Sequence, residues 1–279
     1  MTIRGKAAIV GIGELPTQRQ YPDRTTLGLC AEAARLAIED AGLRKEEVNG
    51  LVTDGGTTPA AMAEYISLRP TFATGVAMQG ASGASATAVA ASAVHAGYCD
   101  TVLVVMGNSR LDRARAGAPL NAVRSEWEVP YGMAAGANTG YGMMYVRHMH
   151  EFGTKPEQLA KMAADQRFNA VKNPNAVFKN QPITADDVLN SRYISYPLRL
   201  LESVMPCDGA AACIVTTPER ARALPNRPVY LLGVGMEQGA ANLWQTPRAT
   251  TTPVQVSAAR SLQMAGYRPK DIQFAEFYD

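Results

Sequence analysis

The stretch from Ala81 to Ala96 (ASGASATAVAASAVHA) is built almost wholly of Ala, Ser, Gly, Thr and Val, and it is followed past Gly97 by the unbroken apolar run Thr101 to Met106, TVLVVM. A helix without large side chains lets neighbouring backbones approach closely, so it suits burial on most sides rather than one-faced packing. The β-branched run after it has the length and composition of a fully buried parallel strand. A small-residue helix leading into such a strand predicts a layered α/β protein with this helix at its centre.

The flanking segments extend the pattern. Lys6 to Ile12 (KAAIVGIG, closed by Gly11 and Gly13) reads as a buried strand. From Thr25 to Ala41, Leu27, Leu29, Ala33, Leu36, Ala37 and Ile38 recur at helical spacing, with Thr25 or Thr26 as N-cap and Gly42 past the end. Asn49 to Thr53 reads as a strand, Pro59 to Leu68 as a short helix stopped before Pro70, and Phe72 to Gln79 as a strand. Residues 1–109 therefore form a doubly wound half-domain in this reading.

Arg110 to Gly140 changes texture, being rich in Gly, Pro, Asn and Arg with Trp127 and Tyr131, and reads as a long loop of the functional kind. Helices are expected at Gly142 to Glu151 and at Pro156 to Val171, the second capped by Thr154, and Thr184 caps a short helix with Asp186 and Asp187 in its first turn. Asp208 to Thr216, Val229 to Val234 and Ile272 to Phe277 read as strands, and Val254 to Ala265 as a helix. The expected partition is 1–109, a helical and loop insertion over 110–206, and the start of a second, similar half over 207–279.

The chain has 279 residues and a net charge of +2 with no basic block, so nucleic-acid binding is not favoured. Cys30, Cys99, Cys207 and Cys213 show neither metal-ligand spacing nor a disulfide framework. The apolar run at the N-terminus is too short for a signal sequence or a membrane span, and a cytoplasmic protein is expected.

The segments AIVGIGELP, MQGASGASATAVAAS, the block from Thr154 through NPNA and PITADDVL, MPCDGAAA and DIQFAEFYD are collinear over nearly the whole chain. Together they resemble the thiolase superfamily, in its sterol-carrier-protein-type branch, which includes the lipid-transfer-protein aldolases of steroid side-chain degradation. The resemblance implies a thiolase-like layered α-β-α-β-α fold of two similar halves, the second expected to be incomplete at its C-terminus.

Thiolases carry a nucleophilic cysteine at the N-terminus of the central helix, where the helix dipole and backbone amides favour a thiolate. The matching position here is Gly80. Cys99 lies at the opposite end of that helix, where the dipole disfavours an anion, and Cys30, Cys207 and Cys213 read as small buried hydrophobes. His95, His148 and His150 fall in helices and do not match the family's catalytic loops.

What the resemblance leaves is a retro-aldol lyase. It would cleave a β-hydroxyacyl-CoA to a ketone and a short acyl-CoA, and the family supplies a steroid side chain as the acyl group. Tyr278 is the candidate acid-base group, although a strand-end packing role fits it equally; its phenol, roughly pKa 10 when unperturbed, would need lowering by nearby donors. Gly80 and Ala81 would offer backbone N–H groups to the enolate oxygen, with Ser82 and Asp279 as further substrate-binding positions. No cofactor is expected beyond coenzyme A as part of the substrate, and no metal. Arg110, Arg113, Arg115 and Arg124 either face solvent or meet a phosphorylated ligand such as coenzyme A. The family also implies a homodimer, with Phe72 to Gln79 as candidate edge, and an OB-fold and zinc-ribbon partner subunit. The alternatives are a non-catalytic acyl-CoA-binding subunit and a thiolase or acyltransferase with a displaced cysteine.

Overall fold

A computed structural model describes residues 2–54, 56–115, 137–239 and 246–277. The chain divides into two compact units. The first holds Met1–Asp112, Cys207–Glu237 and Val256–Asp279, and the second Arg113–Pro206 and Gln238–Gln255.

The first unit is built on a six-stranded sheet. Its strands are β1 (Ala8–Glu14), β2 (Gly50–Asp54), β3 (Phe72–Val76), β4 (Thr101–Asn108), β7 (Gly209–Thr216) and β8 (Val229–Tyr230). Their order across the sheet is β3-β2-β4-β7-β1-β8. β2 runs parallel to β3 and β4, whereas β7 is antiparallel to both β4 and β1. The helices are α1 (Thr26–Asp40), α2 (Pro59–Tyr65), α3 (Ser82–His95), the short α8 (Pro218–Ala221) and the greater part of α9 (Val254–Ala265).

Period-two alternation sorts the strand side chains onto two faces. Leu51, Leu103, Val105 and Ile214 join Leu29, Ala33, Ala37 and Met62 in one core. Val52, Val102, Val104 and Val215 join Ala86, Ala90 and Ala93 in the other. The sheet is thus covered by α1 and α2 on one face and by α3 on the other; α3 buries Ser85, Ala86, Ala90, Ala93 and Val94 while Ala84 and Ser92 face solvent, so it is buried on one side rather than on most.

Thr25 caps α1 by accepting the Gly28 N–H at 3.1 Å, and Gly42 leaves the helix at φ +67°. Gly11 and Gly13, read from sequence as closing β1, lie inside it. A Cβ at Gly13 would stand 2.2 Å from the Ala33 carbonyl oxygen, and one at Gly11 2.5 Å from that of Ala37, so the glycines let β1 lie directly on α1.

The chain does change unit between Pro206 and Cys207, and the segment after that point returns to the first unit. β7 lies between β4 and β1, so the segment after 207 contributes an inner strand to the sheet begun by residues 1–109. The expected strand from Val229 pairs only through Tyr230, after which Gly233 and Gly235 run against the Ser261 and Ser257 carbonyls of α9. Ile272 to Phe277 forms no strand, and Phe274 and Phe277 are about four-fifths exposed. Among the described residues no strand pairs with it.

The second unit contains most of the region expected as an insertion. α4 (Arg110–Arg115) opens at the end of the first unit, in place of the loop expected from Arg110. α5 (Ala137–Phe152), α6 (Pro156–Lys172) and α7 (Ala185–Asn190) follow, with a two-stranded sheet of β5 (Tyr193–Ser195) and β6 (Leu198–Arg199). Thr184 caps α7 as expected, accepting the Asp187 N–H at 3.1 Å. Thr154, expected to cap α6, instead places its hydroxyl 2.6 Å from His148 Nδ1, and Lys155 occupies the cap position. Arg124, Trp127 and Tyr131 lie outside the described residues.

Candidate active site

In the first unit, a cleft of about 330 Å³ opens where β1, β2 and β4 end and β7 begins. Crevices at the carboxyl ends of parallel strands are where α/β sheets place ligands, because the chain leaves the sheet there and its loops part. Glu14, Asp54, Asn108, Cys207 and Asp208 supply polar lining, and Met106 supplies apolar surface. A second concavity, about 690 Å³, lies in the other unit beside α5, lined by Met143, Val146, Arg147, His150 and Tyr196 among others. Met106, in the lining of the first, connects it to α3: a Cβ at Gly83, in the first turn of that helix, would stand 3.1 Å from the Met106 methyl carbon.

The tip of α3 is a tight turn. Gln79 adopts φ +50°, and residues Gln79–Ala81 form a 3₁₀ turn leading into α3. Ser82 braces it: its hydroxyl accepts the Met78 N–H at 2.9 Å and donates to the Gln79 carbonyl at 2.7 Å. Ser82 is therefore buried and spent on the turn, rather than presented to a ligand. The Ala81 N–H donates to the Met78 carbonyl at 3.0 Å, which engages one of the two amides expected to hold an enolate oxygen. Gly80 is exposed at the apex, in the 3₁₀ turn that precedes α3. Tyr278 and Asp279 lie outside the described residues.

Of the four thiols only Cys207 lines the cleft, and none stands at the α3 tip. Burial pushes Cys30 up to about 12 and Cys99 and Cys213 up to about 11, and raises Cys207 as well. Each is held away from the thiolate form that covalent catalysis requires.

Two carboxylates of the cleft were not singled out by sequence reasoning. Asp208 is fully buried and fastens three segments: Oδ2 accepts the Tyr21 N–H and Oδ1 the Arg110 N–H, both at 2.9 Å, while its backbone pairs with Gln18. Asn108 adds a bond from its side-chain amide to the Cys207 carbonyl at 3.2 Å. Buried Ser109 donates to the Arg24 carbonyl at 2.7 Å, tying the end of β4 to the start of α1. Asp54, at the end of β2, accepts the Gly56 N–H at 3.2 Å and further amides from Gly107 and Thr57, yet burial holds its carboxyl above the ordinary range. The clue available in sequence was position, an Asp closing the apolar run GLVTD.

Among the described residues, no cluster of three or more His, Cys, Asp or Glu is arranged to hold a metal ion, and no helix is long and apolar enough to cross a membrane.

A mixed sheet covered by α1 and α2 on one face and by the small-residue helix α3 on the other, with a cleft at its strand ends, is the architecture of the thiolase-like class of fold. Comparison with known proteins sharpens this. No family model matches the chain. The 17-hydroxy-3-oxo-4-pregnene-20-carboxyl-CoA lyase of Mycobacterium tuberculosis is 32% identical over 99% of this chain and 76% of its own length. An acetyl-CoA acetyltransferase of Methanothermobacter thermautotrophicus is 31% identical over 98% of this chain and 73% of its own. Among solved structures, the Ltp2-ChsH2(DUF35) aldolase superposes with a TM-score of 0.86 at 28% identity, covering 97% of this chain and 72% of that one. The chain belongs to the thiolase superfamily, in the branch of sterol-carrier-protein-type thiolases and lipid-transfer-protein aldolases.

Proposed function

We propose that this protein is an acyl-CoA aldolase that cleaves the bond between the α and β carbons of a β-hydroxyacyl-CoA, releasing a ketone and a shorter acyl-CoA. The observation that carries the reading is Gly80 at the apex of the α3 tip, with every thiol elsewhere and raised. Acyl transfer through a covalent thioester needs a sulfur there, whereas a retro-aldol step needs only a base for the hydroxyl proton and donors for the departing enolate oxygen. The Gly80 amide would serve as such a donor, and Tyr278 as an acid-base group. The acyl group would be a steroid side chain carried as its coenzyme A thioester, as the relatives' names suggest for those proteins.

In the same reading the protein works in the cytoplasm as a homodimer joined through β3, an uncharged edge strand of the sheet whose outer backbone groups are unpaired within it. It has a partner subunit with an OB fold and a zinc ribbon; the Ltp2-ChsH2(DUF35) aldolase, whose name joins two components, supports such a second subunit. The deciding assay gives the full-length protein a β-hydroxy, α-branched acyl-CoA. Ketone release without added coenzyme A is expected. Chain shortening that depends on free coenzyme A would instead establish a thiolase, and no turnover with intact binding would establish a non-catalytic subunit. Tyr278→Phe should lose most of the lyase rate; full retention would remove the assignment of that residue.

A further inference from the structure

Retro-aldol cleavage moves two protons, one off the β-hydroxyl and one onto the α carbon of the enolate. The cleft offers few groups for the first. Asp208 is fully buried beneath the amides that it fastens, and Glu14 is exposed at the end of β1. The Cys207 thiol is held protonated by burial. Asp54 differs from all three: it is half-buried, it lines the cavity, and its turn is braced by the Thr53 hydroxyl, which donates to the Thr57 carbonyl at 2.6 Å. Three amides reach its carboxylate, from Gly56, Thr57 and Gly107. Two carboxylate oxygens provide about four acceptor positions, so an acceptor position remains for a ligand in the cleft. Asp54 also stands on β2 beside β4, whose Met106 lines the same cavity and lies against Gly83 in the first turn of α3.

We propose that Asp54 is a catalytic base of this site, taking the proton from the substrate's β-hydroxyl. The step balances without an outside reagent. The O–H bond breaks to Asp54, the oxygen electron pair forms the ketone C=O, and the Cα–Cβ bond breaks with its electrons moving onto the thioester oxygen. The enolate then reforms its carbonyl as the α carbon takes a proton from Tyr278 or water, and Asp54 returns its own to solvent. Burial that raises the carboxyl suits it to this task, since a stronger base near neutrality accepts an alcohol proton more readily.

This inference rests on the aldolase reading, and one experiment separates the two. The full-length protein, Asp54→Asn and Asp54→Glu are assayed for ketone release from the β-hydroxyacyl-CoA as a function of pH, with thermal melts alongside. Asn keeps an acceptor for the surrounding amides but cannot take a proton. For Asp54→Asn, kcat should fall roughly 100-fold or more while KM stays within about threefold. In the unaltered protein kcat should fall as pH drops through the Asp54 pKa, and that limb should vanish in Asp54→Asn. Should Asp54→Asn fail to fold, Asp54→Glu decides: an acidic limb with a displaced midpoint supports the proposal, and an undisplaced limb overturns it. An Asn variant with nearly full kcat, or an unaltered protein without an acidic limb, also overturns it and leaves the aldolase reading intact. An unaltered protein that releases no ketone removes both.

Discussion

The buried carboxylate of Asp208 holds the backbone N–H of Arg110 at 2.9 Å, joining the segment that starts β7 to the residue that opens α4 across 98 positions of sequence. The other oxygen of the same side chain holds Tyr21, so one fully buried anion is stabilised by amides of two distant loops. A carboxylate in that position is a structural fastener for the cleft rim, and its removal leaves two amides without their acceptor.

Asp208→Ala is therefore expected to destabilise the protein by about 2–4 kcal/mol, since hydrogen bonds to charged groups contribute about 1.5–3 kcal/mol each and part of the loss is recovered by water. Urea denaturation measures it. A change under about 0.5 kcal/mol, the usual range for an inconsequential surface substitution, would contradict the fastening role.

A second prediction concerns the contact between β1 and α1. Gly13→Ala would drive a methyl to 2.2 Å from the Ala33 carbonyl oxygen and 2.6 Å from the Ala37 nitrogen, both backbone atoms. Because neither can rotate away, the cost should reach about 3 kcal/mol or more. Gly5→Ala meets no atom within 4 Å and carries only the strain of φ +65°, about 1–2 kcal/mol. Comparing the thermal midpoints of the two variants checks the difference; equal losses would mean that β1 and α1 do not touch this closely.

The α3 tip should activate a thiol placed on it. Gly80→Cys sets a sulfur at the apex of a helix N-terminus, where amides and dipole favour the anion. Its alkylation by iodoacetamide at neutral pH, followed by mass spectrometry, should outpace that of Cys30, Cys99 and Cys213, which burial raises to about 12, 11 and 11. An introduced thiol no more reactive than these three would show that the tip gives an anion no support, and would weaken the case for an enolate site there.

Residues that fold by local rules are legible in the sequence. The Thr25 and Thr184 caps, the φ-positive Gly42 and the apolar runs of β1, β2 and β4 require only neighbours in sequence or a generic buried face. Thr154 departs from expectation because α6 starts one residue later than a Thr154 cap requires, with Lys155 at the cap position, and the Thr154 hydroxyl meets the His148 ring at the end of α5 instead. Ile272 to Phe277 departs because alternation licenses a strand without supplying the neighbour that makes one.

The sequence by itself determined the period of each element, the smallness of α3 and the absence of sulfur at Gly80, since these are properties of a residue and its immediate successors. Tertiary structure alone decided that β7 enters the sheet between β4 and β1, and that Asp54 and Asp208 meet in one cleft with different degrees of burial. The physical reason is that a carboxylate's role depends on how many donors reach it and how much water is excluded. For Asp208 the donors Tyr21 and Arg110 come from remote parts of the chain, and for Asp54 the remote Gly107 joins the neighbouring Gly56 and Thr57, so no local pattern encodes the whole set.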